Sequence, residues 1–138
     1  MNNNIILMRI NAPRKHQAII AQLVYGLTNL YLLGKTRLFA YPETMIDESQ
    51  TSPVPDVMLV DVDTDLTKAI IEITHTQGVK KDAQKLQELM VDYDVQEGFV
   101  YDYKKEVWRK FKLLEGEVKE DPAFCESASV HLDKMLFQ

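Results

Sequence analysis

The sequence contains a single cysteine, Cys125, among its 138 residues. One thiol can form neither an internal disulfide nor a cluster of thiolate ligands, so a disulfide-stapled secreted scaffold and a thiolate-rich zinc site are excluded. A long uninterrupted apolar run is also missing, because residues 18–33 contain Gln22, Thr28 and Asn29. Such a stretch is typical of a core helix rather than a membrane span. No basic segment followed by an apolar run opens the chain, so no secretory signal is expected and the predicted location is cytoplasmic.

Positive charge is scarcer than negative charge. The chain has 16 Lys and Arg against 21 Asp and Glu, a net charge of −5 at pH 7. A basic nucleic-acid-binding module would show the opposite balance, because Lys and Arg facing phosphates supply most of its affinity. An enzyme that acts on nucleic acid is still compatible with this charge, since acidic metal ligands add negative charge. The composition therefore argues only against strong non-specific DNA binding by a bare monomer.

The length suits one compact domain, which we expect to span residues 1–138 with a core over about residues 13–137. Apolar residues at helical spacing predict helices over residues 13–33 and 78–91. Runs rich in β-branched and aromatic residues predict strands over residues 37–46, 57–60, 69–74, 95–101 and 107–113. The order of helix, strands, one crossover helix and a closing hairpin predicts an α/β fold with a mixed β-sheet flanked by helices. The tail contributes further apolar residues that we expect to pack on the core: Val130, Leu132, Met135, Leu136 and Phe137.

Two carboxylates stand out in the strand region. Asp56 follows Pro55 at the start of an apolar strand, and Glu72 lies between Ile71 and Ile73. An ionised carboxylate within a strand of isoleucines is costly unless it is paired. If the two strands are neighbours, both carboxylates reach one sheet edge, where two carboxylates and waters could hold Mg²⁺. A Mg²⁺ there could polarise a phosphate and activate a water. The alternative is that Glu72 is a solvated strand residue and Asp56 only caps a loop.

The order of these motifs resembles the PD-(D/E)xK nuclease superfamily, and more narrowly the Uma-type family of bacterial restriction-endonuclease-like proteins. The resemblance covers about residues 13 to 137 and implies a restriction-endonuclease-like mixed β-sheet flanked by helices. The matching segments are His16 in the first helix, Pro55-Asp56-Val57, Ile71-Glu72-Ile73, Asp82-Ala83-Gln84-Lys85, and Phe99-Val100-Tyr101-Asp102 with Trp108.

The resemblance implies a metal-dependent endonuclease that hydrolyses phosphodiester bonds of nucleic acid with Mg²⁺ or Mn²⁺, and it leads us to expect a homodimer. Asp56 and Glu72 would be the metal ligands. The lysine that usually follows two residues after the glutamate is replaced here by Thr74, and Lys85 from the next helix would take over its role. That role is to position or deprotonate the attacking water and to offset phosphate charge. The glutamate often found in the first helix has no match, because Lys15 and His16 occupy that region.

Two clusters of basic residues have alternative interpretations. Lys80, Lys81 and Lys85 would contact phosphates, or they would form an ordinary solvated helix face. The second cluster could be a nucleic-acid rim with interleaved aromatic rings. The favoured interpretation of this second cluster is protection of an edge strand against aggregation. Its members are Lys104, Lys105, Arg109, Lys110 and Lys112, interleaved with Tyr101, Tyr103 and Trp108.

Thr74 and the overall acidity favour a second hypothesis, a non-catalytic restriction-endonuclease-like domain that acts as a protein-interaction module. A third is a nucleic-acid-binding module without chemistry. Geometry separates these hypotheses. In an enzyme the carboxylates of Asp56 and Glu72 should lie within reach of one metal ion, and Lys85 should point to the same place. A Glu72 that points away from Asp56 would exclude the catalytic hypothesis.

Overall fold

The computed structural model describes residues 13–47 and 52–137. The ends of the predicted domain 1–138 lie outside the described residues. So do the amino-terminal residues considered for a secretory signal and residues 48–51 of the polar loop. Neither of the two described α-helices combines the length and the apolar composition that crossing a membrane would require.

A six-stranded sheet forms the centre of the molecule, with the strands in the order β1–β2–β3–β4–β5–β6. All neighbouring strands are antiparallel except β3 and β4, which are parallel and joined by the crossover helix α2. The predicted α/β fold with a mixed sheet flanked by helices is therefore confirmed. The elements are α1 (Arg14–Leu32), β1 (Leu38–Pro42), β2 (Val57–Asp61), β3 (Leu66–Thr74), a 3-10 turn (Thr76–Gly78), α2 (Val79–Asp92), β4 (Glu97–Asp102), β5 (Val107–Lys112), β6 (Gly116–Val118), β7 (Phe124–Cys125), β8 (Val130–His131) and a second 3-10 turn (Leu132–Met135).

The two helices cover opposite faces of this sheet. Leu23 and Leu27 of α1 are almost fully buried in one apolar cluster, together with Ile71 of β3. Leu86 of α2 is buried in a second cluster, together with Ile70 of β3. Successive residues of a strand point to opposite faces, so β3 is apolar on both sides because a helix lies over each side.

The carboxy-terminal segment, residues 121–137, packs on the α1 side of the sheet. Leu132 is fully buried in the α1-side cluster, as the sequence predicts, whereas Phe137 is 63% exposed, so the prediction that Phe137 packs on the core is wrong. The sequence analysis also missed β6, β7 and β8. These strands are two or three residues long, which is too short for a period-2 pattern to appear.

A buried polar cluster ties this segment to the sheet. Glu97, at the start of β4, is 3% exposed and accepts hydrogen bonds from the backbone N–H groups of Glu126 and Ser127 at 2.8 and 2.7 Å. The Nζ of Lys110 lies 3.2 Å from Glu97 Oε2 and donates to the carbonyl of Phe124 at 2.8 Å. Burial raises the pKa of Glu97, but these hydrogen bonds outweigh it and leave the pKa below its usual value. The cluster is a structural clamp, because every charge in it has a partner.

Candidate active site

The register of β2 and β3 brings Asp56 and Glu72 together. Val57 pairs with Ile71 in the antiparallel ladder, so the residue before Val57 lies beside the residue after Ile71. The backbone N–H of Asp56 donates to Glu72 Oε1 at 3.1 Å. The backbone N–H of Ile73 donates to Asp56 Oδ2 at 2.8 Å. Glu72 therefore points towards Asp56, and these two hydrogen bonds fix one oxygen of each carboxylate.

Glu72 has an unfavourable environment for an ionised carboxylate. The residue is 7% exposed. Burial, followed by the negative charge of Asp56, raises the pKa of Glu72 to about 8, although the hydrogen bond from the Asp56 N–H group and the positive charge of Lys85 partly oppose the increase. A buried acid with a raised pKa beside a second acid is a marker of a functional site, because a bound cation would relieve both effects.

The donor chemistry of the pair fits a hard divalent cation. Asp56 Oδ1 and Glu72 Oε2 accept no hydrogen bond from the described residues, so each carboxylate keeps one oxygen for a ligand. Mg²⁺ is usually held by one or two carboxylates and retains several waters, and the same oxygen donors suit Mn²⁺. Within residues 13–47 and 52–137 no group of three or more His, Cys, Asp or Glu is placed to hold a metal ion. Asp56 and Glu72 could supply two of the ligands of such a cation, and their assignment as metal ligands stays a prediction.

His16 joins this pair from the first turn of α1. Its Nε2 lies 3.3 Å from Asp56 Oδ2, and its ring packs edge-on against the ring of Tyr103, with the centroids 6.4 Å apart. The hydrogen bond to Asp56 raises the pKa of His16 to about 9, although burial opposes the increase. The sequence analysis included His16 in the family resemblance but gave it no role, because forty residues separate it from Asp56 and no spacing rule links them.

A cleft of about 440 Å³ opens next to the carboxylates. His16 and Ile73, which both contact Asp56, line the cleft, and Lys81 and Lys85 line it from α2. Asp56 and Glu72 are not among the lining residues, but Lys85 is near enough to act on Glu72 through its charge. Lys80 is exposed on the first turn of α2, one residue before Lys81. The roles of these lysines towards metal or phosphate stay predictions.

Thr74 stands where the resemblance to the PD-(D/E)xK superfamily leads us to expect a lysine, and its surroundings are closed. The residue is 4% exposed, and its hydroxyl donates to the carbonyl of His75 at 3.2 Å. A Cβ atom added to Gly78 would lie 2.5 Å from Thr74 Oγ1, so the start of α2 packs directly on the threonine. The absence of a side chain at Gly78 allows this close approach. A longer side chain at position 74 would displace the 3-10 turn that ends at Gly78. Lys85 instead reaches the cleft from α2.

The second basic cluster does not protect an edge strand. β6 pairs with the outer side of β5 at Lys110–Lys112, so β5 lies inside the sheet and this interpretation is wrong. The guanidinium of Arg109 makes two hydrogen bonds to the carboxylate of Glu117, at 2.9 and 2.7 Å. Lys112 pairs with Glu126 at 2.7 Å, and Lys110 belongs to the buried clamp. These three cations are therefore occupied within the fold.

The comparison with solved structures gives a likeness in fold. No protein-family model matches the chain. No curated protein matches it in sequence. Among solved structures, the chain is similar to a putative nuclease belonging to DUF820 from Anabaena variabilis ATCC 29413, with a TM-score of 0.63. The two share 15% sequence identity over 88% of this chain and 79% of that chain. At this identity the likeness shows the fold alone, and the fold expected from the sequence, a mixed β-sheet flanked by helices, is confirmed.

Proposed function

We propose that this chain is a metal-dependent nuclease of the Uma-type family that hydrolyses phosphodiester bonds of nucleic acid. The observation that carries the proposal is the carboxylate pair. Asp56 and Glu72 lie side by side, each with one free oxygen, and Lys85 lines the adjoining cleft. A structural role explains this arrangement poorly, because Glu72 is buried with a single hydrogen-bond donor. A homodimer is a further prediction of the same resemblance.

The residues have separate roles in this proposal. Asp56 and Glu72 would hold Mg²⁺ or Mn²⁺, which when bound supplies positive charge to a phosphate oxygen and lowers the pKa of a water. The N–H of Ile73 and the imidazole of His16 fix the orientation of Asp56. The ammonium group of Lys85 would offset charge on the phosphate and position the attacking water, as expected for a preorganised cation in a cleft.

The test is cleavage of nucleic acid by the purified protein and two isosteric variants. Supercoiled plasmid, single-stranded DNA and single-stranded RNA are each incubated with Mg²⁺, with Mn²⁺ or with a chelator. In Asp56→Asn and Glu72→Gln a side-chain oxygen still accepts the hydrogen bond from the Ile73 or Asp56 N–H group, while the negative charge is lost. Glu88→Gln is the matched control, because Glu88 is an exposed acid on α2 outside the cleft lining.

We expect metal-dependent cleavage by the wild type and Glu88→Gln, and a loss of about 100-fold or more in Asp56→Asn and Glu72→Gln. A loss of this size follows removal of an electrostatic group from a catalytic site. The proposal fails if the folded wild type cleaves none of these substrates, or if cleavage survives both substitutions. Failure on every substrate would favour the non-catalytic hypothesis, which Thr74 in place of the superfamily lysine already motivates.

A further inference from the structure

The turn between β4 and β5 forms one margin of the cleft. Tyr103, the first residue of this turn, lines the cleft, and its backbone N–H donates to the carbonyl of Thr74 at 2.9 Å. This hydrogen bond joins the turn to the end of β3, one residue beyond Ile73. The turn therefore lies beside the carboxylate pair although about thirty residues separate them in sequence.

Asp102 holds this turn in place. The carboxylate is 5% exposed, and its Oδ1 accepts hydrogen bonds from the backbone N–H groups of Lys104 and Lys105 at 2.9 and 3.2 Å. Its Oδ2 accepts a hydrogen bond from the hydroxyl of Thr76 at 2.8 Å. Thr76 belongs to the 3-10 turn that leads into α2, so one buried carboxylate connects two margins of the cleft. The backbone at Lys104 and Lys105 is consequently fixed.

The side chains of this turn place positive charge at the cleft. Lys104 and Lys105 are exposed, and Lys104 Nζ lies 5.8 Å from the centroid of the Tyr103 ring. Tyr103 lines the cleft, so the Lys104 ammonium group lies beside one residue of the cleft wall, although Lys104 and Lys105 do not line the cleft themselves. Lys81 and Lys85 line the cleft from α2. We call Lys81, Lys85, Lys104 and Lys105 the lysine rim.

The rim differs from the other cations of the hairpin. Arg109, Lys110 and Lys112 are each paired with a carboxylate. Within residues 13–47 and 52–137, no rim lysine takes part in a salt bridge. Lys81 and Lys85 line the cleft together with one acid, Asp82, and Lys104 and Lys105 lie on the adjoining turn. Four lysines against one acid in a protein of net charge −5 indicate a binding surface for a polyanion.

The aromatic residues of the hairpin are not available for base stacking. Tyr101 is 3% exposed and Trp108 is 9% exposed, and their rings pack on each other with centroids 4.6 Å apart. Tyr103 is 6% exposed. Stacking platforms for single strands present aromatic faces to solvent. The surface beside the cleft therefore offers ammonium groups and no exposed ring from this hairpin.

We propose that the lysine rim binds the phosphate backbone of nucleic acid without stacking on its bases. The inference rests on the proposed function, because the backbone held by the rim is the substrate that the carboxylate pair would cleave. It adds Lys104 and Lys105 to the binding surface and leaves out the rest of the hairpin cluster. Contact through phosphates predicts binding that depends strongly on salt and weakly on base sequence.

The test measures binding without cleavage. A fluorescein-labelled DNA duplex, the matching RNA duplex and a single-stranded thymidine oligonucleotide are titrated with the full chain in a chelator, over about 0.05 to 0.3 M salt, a range in which phosphate contacts change affinity strongly. The double variant Lys104→Gln/Lys105→Gln is compared with Lys35→Gln/Lys68→Gln. Lys35 and Lys68 line a surface depression at the opposite end of β3, so the control removes the same charge from elsewhere.

We expect the rim variant to lose about 1.8 from the slope of log affinity against log salt, since each phosphate contact contributes about 0.9. Its affinity for duplex DNA and duplex RNA should fall about tenfold or more near 0.1 M salt, and the control should keep the wild-type slope. Trp108 is the only tryptophan in the chain, and its ring is buried against Tyr101. The tryptophan fluorescence should therefore be unchanged when the nucleic acid binds. Both double variants should unfold at the same temperature as the wild type, which would show that their fold is intact.

Three outcomes would overturn the inference: no salt-dependent binding by the wild type, equal effects of the two double variants, or quenching of Trp108 with preference for the single strand. These outcomes are independent of cleavage. A protein that binds through the rim but cleaves nothing would contradict the proposed function alone. A protein that cleaves with unaltered slopes in the rim variant would contradict the rim alone.

Discussion

Two buried glutamates show how the surroundings of a side chain distinguish a structural carboxylate from a candidate functional one. Glu97 and Glu72 are 3% and 7% exposed, and both lie in central strands. Glu97 accepts hydrogen bonds from two backbone N–H groups and from the Ser127 hydroxyl, and it is close to the Lys110 ammonium group. Glu72 has one donor and a neighbouring negative charge. The pKa of Glu97 is consequently lowered and that of Glu72 is raised to about 8.

These opposite shifts predict opposite effects of the same substitution on stability. Below the ordinary pKa of 4.5 Glu72 is protonated in both states, and as the pH rises towards about 8 the folded state loses stability relative to the unfolded chain. Glu72→Gln removes this loss, so at pH 8 or above the variant should be more stable than the wild type, by roughly 1–3 kcal/mol. Urea unfolding of the metal-free protein at several pH values measures the difference.

The matched change Glu97→Gln should destabilise the protein by about 3 kcal/mol near neutral pH, because Lys110 loses its buried partner. The ionised Glu97 carboxylate stabilises the folded state above its ordinary pKa of 4.5, and this stabilisation is lost as the pH falls through the lowered pKa of the folded state. The stability difference between Glu97→Gln and the wild type should therefore become smaller in acid. Equal destabilisation by both substitutions at high pH would contradict the assignment of Glu72 to a ligand site.

At the scale of elements, the sequence predicted what depends on local pattern. The apolar stripes predicted both helices, because each helix buries one face. The runs rich in β-branched and aromatic residues predicted β1 to β5, because the central strands β2 to β4 are buried on both faces. The pairing of β2 with β3 was a condition of the metal-site hypothesis and its register was not predicted; the structure shows both. The strands β6 to β8 were not predicted because they are two or three residues long. The clamp that holds the segment containing β7 joins Glu97 and Lys110 to residues distant in sequence.

The same distinction applies to the candidate site. Asp56 and Glu72 could be proposed from sequence because each interrupts an apolar strand. The contribution of Asp102 could not, because its partner Thr76 becomes a neighbour only when β3 and β4 lie in parallel. The hydrogen bonds of Asp102 to the N–H groups of Lys104 and Lys105 are local to the turn. Both strands end at the same sheet edge, so the loops after them meet there.

The junction at Asp102 gives a prediction for these loops. Asp102→Ala removes the acceptor for three hydrogen bonds, so we expect a loss of about 2–3 kcal/mol in the free energy of unfolding. The amide hydrogens of Lys104 and Lys105 should also exchange faster, which hydrogen exchange with residue resolution measures. Asp92→Ala, a change at the exposed carboxy-terminal end of α2, is the control. Unchanged protection at Lys104 and Lys105 in Asp102→Ala would show that another contact fixes the turn.

At the scale of the whole molecule, the candidate site and the structural clamp lie at opposite ends of the sheet. The carboxylate pair and the lysine rim lie where β3 and β4 end. The clamp around Glu97 lies where β4 begins. The carboxy-terminal segment, residues 121–137, connects this second end to α1, since Met135 packs against Gly26 of α1 and the N–H of Phe137 donates to the side chain of Gln22 at 2.8 Å. α1 in turn carries His16 to the candidate site.

This arrangement predicts that residues 121–137 are part of the core rather than a dispensable tail. The segment contributes four buried residues to the α1-side cluster, namely Ala123, Cys125, Ala128 and Leu132. Its removal would also leave Glu97 and Lys110 without most of their buried hydrogen-bond partners. A chain ending at Glu120 should therefore lose more than about 5 kcal/mol, comparable with the total stability of a small domain, and should not unfold cooperatively. Denaturant unfolding followed through Trp108 fluorescence measures this loss.

Deletion of Phe137 and Gln138 alone is the matched control for that truncation. Phe137 is 63% exposed, and its backbone N–H donates to the Gln22 side chain. This short deletion should cost no more than about 1 kcal/mol, the typical net contribution of one hydrogen bond. Cooperative unfolding of the chain ending at Glu120, with a midpoint near that of the wild type, would contradict the prediction. It would mean that the sheet and its two helices are stable without the clamp, and that α1 holds His16 against Asp56 without support from the carboxy-terminal segment.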